Sequence, residues 1–348
     1  MKAAMVTEPY KVEIVEQDKP AIKDDEVLVE VLYAGICGSD STLYRGAHPF
    51  RKPPIIPGHE ISGRIAAIGK NVTGYEVGQR VVVNHAIPCG KCRYCKANLP
   101  NVCPTKIYAG SDRMMGFFAQ YVNVPASTLF PIKDGITDKN AAIAEPLSVA
   151  FHVMNRLETI PAVDPENKSL AIIGSGTIGL LCLLAAKRKG YKKIFCMDIL
   201  PHTLKVAEQF GATAVFNSKE EGIVEAIKEM TDGYGVTSTI ITAAVPGVID
   251  QACAMTSIYG SMIMLPMSKA RLEFCIYDLV SKEQHLIGCR GIHRQDFADA
   301  VDLINSGVDF SPMITHVFPM DQAWTAFKYA VDRPEGEDVI KVMVTPNQ

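Results

Sequence analysis

The 348-residue chain has no run of Lys or Arg longer than the three residues Lys187-Arg188-Lys189, and its formal net charge is −3. A surface of mixed charge lacks the basic face that a phosphate backbone demands, so nucleic-acid binding is excluded as its main task. A long apolar run is lacking as well. The longest, 170–186, is interrupted by Gly, Ser and Thr and falls short of the ~20 apolar residues that span a bilayer. A buried strand and helix are expected there, with no membrane contact. The first nine residues include Lys2 and Glu8 but neither an apolar core nor a small-residue cleavage site, so the expectation is a cytoplasmic protein without a secretory leader. Internal repeats and low-complexity linkers are missing too.

What is present is ordinary globular composition, 48% hydrophobic and 21% charged. A chain of this length exceeds the size at which one core keeps growing, so two domains are expected. From Lys2 to Val83 short alternating segments such as 26–32 and 80–84 stand between Gly- and Pro-containing turns, which reads as mostly β. A turn-rich lobe follows as far as Cys103. After Asp164 short apolar strands alternate with helices, with strands expected at 170–173, 193–198, 214–216, 238–242, 261–265 and 285–288. That βαβ rhythm predicts a doubly wound parallel sheet, hence an α/β fold. The tail has a helical pattern at Phe297, Ala300, Val301 and Ile304 and ends on a strand at 339–344. The expected division is 1–150, then 151–292, with 293–348 returning to the first domain.

Four of the ten cysteines crowd into fifteen residues, Cys89, Cys92, Cys95 and Cys103, with gaps of two, two and seven. Four thiolates on a tight loop make the closed tetrahedral shell that a structural Zn²⁺ prefers. Disulfides are the rival reading, but a bridge between Cys89 and Cys92 would be strained and a reducing compartment would not keep it.

Gly174, Gly176 and Gly179 form a G-x-G-x-x-G pattern, with Thr177 and Ile178 between the last two, after an apolar strand and ahead of a helix over 180–189. Such glycines permit a tight turn and let backbone N–H groups approach a pyrophosphate. Asp198 follows nineteen positions after Gly179, where a carboxylate accepts hydrogen bonds from ribose hydroxyls and repels a 2′-phosphate. Ile199 and Leu200 stand next, where an NADP reader would place Arg, so NAD is the expected cofactor. A glycine turn packed only for helix-to-strand contact is the alternative.

A third set is dispersed: Cys37 with Ser39 and Asp40, then His59 and Glu60, then Glu145 within Glu145-Pro146-Leu147-Ser148. A thiolate, an imidazole and one or two carboxylates suit a catalytic Zn²⁺ that keeps a position open. Singly they read as a buried thiol, a core histidine and an exposed acid.

These three groups, in this order, resemble the zinc-dependent medium-chain alcohol dehydrogenase superfamily, and within it the polyol branch of sorbitol, butanediol, threonine and galactitol-phosphate dehydrogenases. The resemblance spans essentially the whole chain and implies a Rossmann domain plus a β-rich, GroES-like catalytic domain. The implied activity is zinc-dependent hydride transfer between NAD and a secondary alcohol: a polyol, sugar alcohol or sugar acid, with or without phosphate. Both Glu60 and Glu145 are carried as candidate ligands of the catalytic metal, Cys37 and His59 as the others. By resemblance, Ser39 takes the substrate proton, Asp40 orients His59, Lys341 contacts the pyrophosphate, and the chain forms a homodimer or homotetramer. The sequence departs from the family at Thr42, where many members place a proton-relaying histidine; His48 is a substitute candidate or an exposed loop histidine. Arg45, Lys52, Arg113 and Arg290 are candidates to hold an anionic substrate, or plain surface charges. A metal-free quinone or enone reductase on the same scaffold and a non-catalytic zinc protein are the rival functions.

Overall fold

The computed structural model describes residues 1–347. The chain forms two compact units, Met1–Glu145 with His293–Gln348, and Pro146–Ile292.

The first unit is built on a seven-stranded sheet. Its path runs Ile314–Pro319, Lys341–Thr345, Glu26–Gly35, Glu60–Ile68, Arg80–Val83 and Leu129–Pro131, and Tyr121–Pro125 also pairs with Glu26–Gly35. All of these pairings are antiparallel except that of Ile314–Pro319 with Lys341–Thr345. Lys341–Thr345 pairs with Glu26–Gly35, so the C-terminal strand completes the sheet begun near the N-terminus. Buried Val27, Val29, Val31, Ile61, Ile65, Phe117, Phe118 and Phe327 lie in this unit's core.

The second unit has six parallel strands in the order Ala214–Asn217, Lys193–Asp198, Ser169–Ile173, Val236–Ile241, Thr256–Met264 and His285–Gly288. Numbered within the unit this is 3-2-1-4-5-6, the doubly wound order that binds ligands beyond the C-terminal ends of the strands where the order reverses. Ser169–Ile173 is buried throughout, as a central strand covered on both faces must be.

One strand begins earlier than its pattern predicts. The register with the neighbouring strand jumps between Val236↔Thr256 and Ser238↔Ser261, and inside the jump Tyr259 adopts a left-handed φ of 60°. Ile258 there is 72% exposed, so apolar residues at this bulge do not mark a buried face. The pattern consequently registers only from Ser261 onward.

Candidate metal and dinucleotide sites

Cys37 caps the short helix Gly38–Tyr44, and Asp40 in its first turn returns a side-chain contact, Oδ2 accepting the Cys37 N–H at 3.3 Å. His59 and Glu60 arrive at the start of the strand Glu60–Ile68, which runs beside Glu26–Gly35. This places one ligand atom each of Cys37, His59 and Glu60 within 4.8 Å of one another. A zinc with ligands at ~2.0–2.3 Å needs them roughly 3.3 to 3.8 Å apart, so small side-chain movements close the shell.

The donor set is an awkward one unless a cation shares it. Burial, then the charges of Glu60 and Asp40, pushes the Cys37 thiol up to about 11. A divalent cation removes that obstacle, because a coordinating thiol is deprotonated outright. These residues therefore fit a metal.

Of the two candidate carboxylates Glu60 belongs to the cluster and Glu145 stands outside it, and they have different partners. Glu60 Oε2 is ion-paired with Lys341, whose Nζ also donates to the Ile36 carbonyl at 2.9 Å. Both side chains are 2% exposed. Glycine at residue 35 leaves room for the pair: a Cβ there would stand 2.2 Å from Glu60 Oε2 and 2.9 Å from Lys341 Cε, and the two side chains would have to shift. Glu145 instead has its Oε1 3.4 Å from His85 Nδ1, and the His85 ring lies 4.9 Å from that of His59. Burial pushes the Glu145 carboxyl up to about 8, with His59 opposing and Glu60 and Cys37 adding to the rise. Burial also holds the His85 imidazole well below its ordinary range, and the charge of His59 acts the same way.

Ser39 is partly exposed and bonds toward Cys37, while Asp40 is fully buried and Oδ2 lies 3.7 Å from His59 Nδ1. Thr42 donates its hydroxyl to the Gly38 carbonyl at 2.9 Å, inside its own helix. His48 uses Nδ1 to accept the backbone N–H groups of Phe50 and Arg51. Arg45 donates to the Val331 carbonyl, and Arg113 to those of Thr105 and Lys106. Arg51 and His85 are the neighbours that sequence reasoning missed. Neither belongs to a spaced motif, and only the folded chain brings each to the cluster.

In the Cys lobe the four sulfurs lie within 4.8 Å of one another, with Cys89 Sγ to Cys95 Sγ at 4.0 Å and Cys92 Sγ to Cys95 Sγ at 3.5 Å. All four cysteines are free, and the separations match tetrahedral edges of about 3.8 Å around zinc. Backbone N–H groups of Lys91 and Cys92 and the Thr105 hydroxyl bring the Cys89 thiol down to about 6, which prepares it to bind as thiolate.

In the second unit the three glycines do different work. Gly174 turns at φ +96°, and a Cβ there would sit 2.1 Å from Thr242 Oγ1. A Cβ on Gly179 would sit 2.0 Å from the Gly174 carbonyl oxygen, so this glycine lets the helix Thr177–Arg188 pack against the turn. Gly176 has nothing within 4 Å of the corresponding position. It is the open face of the turn, where a pyrophosphate can meet backbone N–H groups. Thr177 and Ile178 form the helix's first turn. Asp198, at the end of its strand, accepts the N–H of Ser175 through Oδ2 at 2.7 Å and that of Leu200 through Oδ1 at 3.0 Å.

Residues 23–134 match the family described as alcohol dehydrogenase GroES-like domain, and residues 177–306 the family described as zinc-binding dehydrogenase. The chain is 32% identical to a sorbitol dehydrogenase of Bacillus subtilis, with 100% of this chain and 98% of the relative covered. It is 33% identical to an L-threonine 3-dehydrogenase of Caldanaerobacter subterraneus, with 92% and 93% covered. Among solved structures, an Escherichia coli oxidoreductase of unknown specificity superposes with a TM-score of 0.92 at 27% identity, covering 100% of this chain and 99% of the other.

Proposed function

Because the chain belongs to the zinc-dependent medium-chain alcohol dehydrogenase superfamily, in its polyol branch, we propose that it oxidises a secondary hydroxyl of a neutral polyol with NAD as acceptor. The observation that carries this reading is the convergence of Cys37, His59 and Glu60 in a chain that also has the glycine turn and Asp198. When bound, the zinc supplies Lewis acidity to the alcohol oxygen and the nicotinamide accepts the hydride.

The protein's own groups do the rest. Cys37, His59 and Glu60 hold the metal, Asp40 aims His59, and Lys341 steadies Glu60 in place of the pyrophosphate contact that the resemblance implies, being buried and ion-paired there. Ser39 Oγ takes the hydroxyl proton as its own O–H proton passes to solvent, to which this residue is partly exposed. Thr42 cannot relay it onward, having neither a basic nitrogen nor a free hydroxyl. Gly174, Gly176 and Gly179 with Thr177 and Ile178 receive the pyrophosphate, and Asp198 the adenosine ribose, which favours NAD over NADP. The unit holding both cysteine sites is the catalytic domain and Pro146–Ile292 the dinucleotide domain. A neutral substrate is favoured because two of the four candidate cations, Arg45 and Arg113, each engage Nη2 with backbone carbonyls.

The experiment is a nicotinamide-absorbance screen of sorbitol, 2,3-butanediol, L-threonine, sugar acids and sugar phosphates with NAD and NADP. NADH formation confined to neutral polyols, and lost in Cys37→Ala, supports the reading. Turnover indifferent to Cys37 would return the metal-free reductase to first place.

We also place the protein in the cytoplasm as a homo-oligomer. Ten free cysteines suit a reducing compartment, and no helix among the described residues is long and apolar enough to cross a membrane. The edge strand His285–Gly288 and the exposed Met267, Ile276, Tyr277 and Val280 in the same stretch of chain offer a second copy both backbone pairing and apolar surface. Sedimentation at micromolar protein tests this, a monomer being the contrary result.

A further inference from the structure

We infer that Arg51 is a positioning residue of the metal site, acting through Asp40 on His59. The inference rests on the reading of Cys37, His59 and Glu60 as metal ligands.

Asp40 is fully buried, and an isolated carboxylate in that position would protonate or swing away. It has one strong charged partner, Arg51, whose Nη1 donates to Oδ1 at 3.0 Å while the whole residue is 5% exposed. The two carboxylate oxygens are thereby divided. Oδ1 belongs to the guanidinium, and Oδ2 turns to the Cys37 N–H and His59 Nδ1.

Arg51 is itself locked. Its Nε lies 3.3 Å from His48 Nε2, and His48 Nδ1 accepts the Arg51 backbone N–H at 3.0 Å, so the loop folds back on its own side chain. On the other side Gly110 turns at φ +72°, and a Cβ there would press to 3.3 Å from Nη1. The guanidinium thus ties the helix Gly38–Tyr44 to the loop that follows it, and Gly110 leaves room for it. A lysine would supply the charge without the planar fork.

Two effects of removing Arg51 oppose each other. Losing a nearby positive charge should tighten the grip of the anionic donor set on a divalent cation. Losing the clamp on Asp40 should release His59 from its orientation and loosen it. The clamp should win, because Arg51 holds Oδ1 at 3.0 Å and so fixes which carboxylate oxygen faces His59, and partners that orient a metal-binding histidine are typically worth about 10–100-fold in metal affinity.

The test uses the full chain stripped of catalytic metal and titrated with Co²⁺, read by the thiolate-to-cobalt absorption that Cys37→Ser abolishes. Arg51→Gln should bind Co²⁺ at this site about 10–100-fold more weakly, and Arg51→Lys should recover part of the loss. In an Asp40→Asn background the Arg51→Gln change should add less than about threefold, since coupled residues do not add. Equal or tighter binding by Arg51→Gln overturns the inference, as does the same loss in both backgrounds. If Arg51→Gln does not fold, Arg51→Lys binding as tightly as wild type overturns it. A wild-type chain with no Cys37-dependent absorption would defeat the metal-site reading itself, and the inference with it.

Discussion

Asp198 Oδ2 accepts the backbone N–H of Ser175 at 2.7 Å, so the acidic residue of the second strand is tied directly to the glycine turn. The carboxylate is held from both sides, since Leu200 donates to its other oxygen. Its orientation is therefore set by backbone, not by a free rotamer, and the proposed ribose contact would meet a fixed carboxylate. Hydrogen bonds to a charged group are worth roughly 1.5–3 kcal/mol, so Asp198→Ala should lower kcat/KM for NAD on the order of 10- to 100-fold. NADP should lose much less, and parallel steady-state kinetics with the two cofactors would show whether the ratio moves.

Gly176→Ala and Gly179→Ala should fail in different ways. At Gly179 the new Cβ meets a backbone oxygen, which cannot step aside, and about 1–3 kcal/mol of stability should go with it. At Gly176 the protein has empty space, so melting should change little while NADH affinity, read by fluorescence, falls tenfold or more. Equal melting temperatures for the two variants would contradict the assignment.

Two zinc ions per wild-type chain are expected. Cys37→Ser should retain one and keep its melting temperature within a few degrees. Cys103→Ser should also lose one, from the lobe, and melt clearly lower, since a structural zinc contributes folding energy outright. Elemental analysis beside calorimetry distinguishes them.

The Glu145 carboxyl gives a pH signature in the metal-free protein. Its folded pKa of about 8 lies above the ordinary 4.5, so the native chain holds a proton that the unfolded chain releases, and this group's contribution falls as pH rises between those values. His85, held neutral, works the other way only below about 6.5, the ordinary histidine value. From pH 6.5 to 8 the stability difference between Glu145→Gln and wild type should therefore shift in favour of the variant. Urea midpoints at both pH values measure it, and parallel pH dependences would show that Glu145 is ionised throughout.

Some of this was legible without coordinates. Local features survive as sequence because their physics is local: four thiols within fifteen residues, glycines that must turn within six, and the strand-helix alternation of the doubly wound sheet. The strand Thr256–Met264 was only half legible, because the exposed Ile258 and left-handed Tyr259 break the apolar alternation at its start.

Cys37, His59 and Glu60 could be nominated from sequence, but not the company they keep. Lys341 pairs with Glu60 across 281 residues because the last strand joins the sheet beside Gly35, where a side chain would crowd the pair. Arg51 reaches Asp40 because a loop folds back on His48, and His85 reaches Glu145 although sixty positions separate them. Residue types near in the chain declare their chemistry through spacing. Which buried charge answers which depends on strand register and loop closure, and those are settled only when the whole core forms.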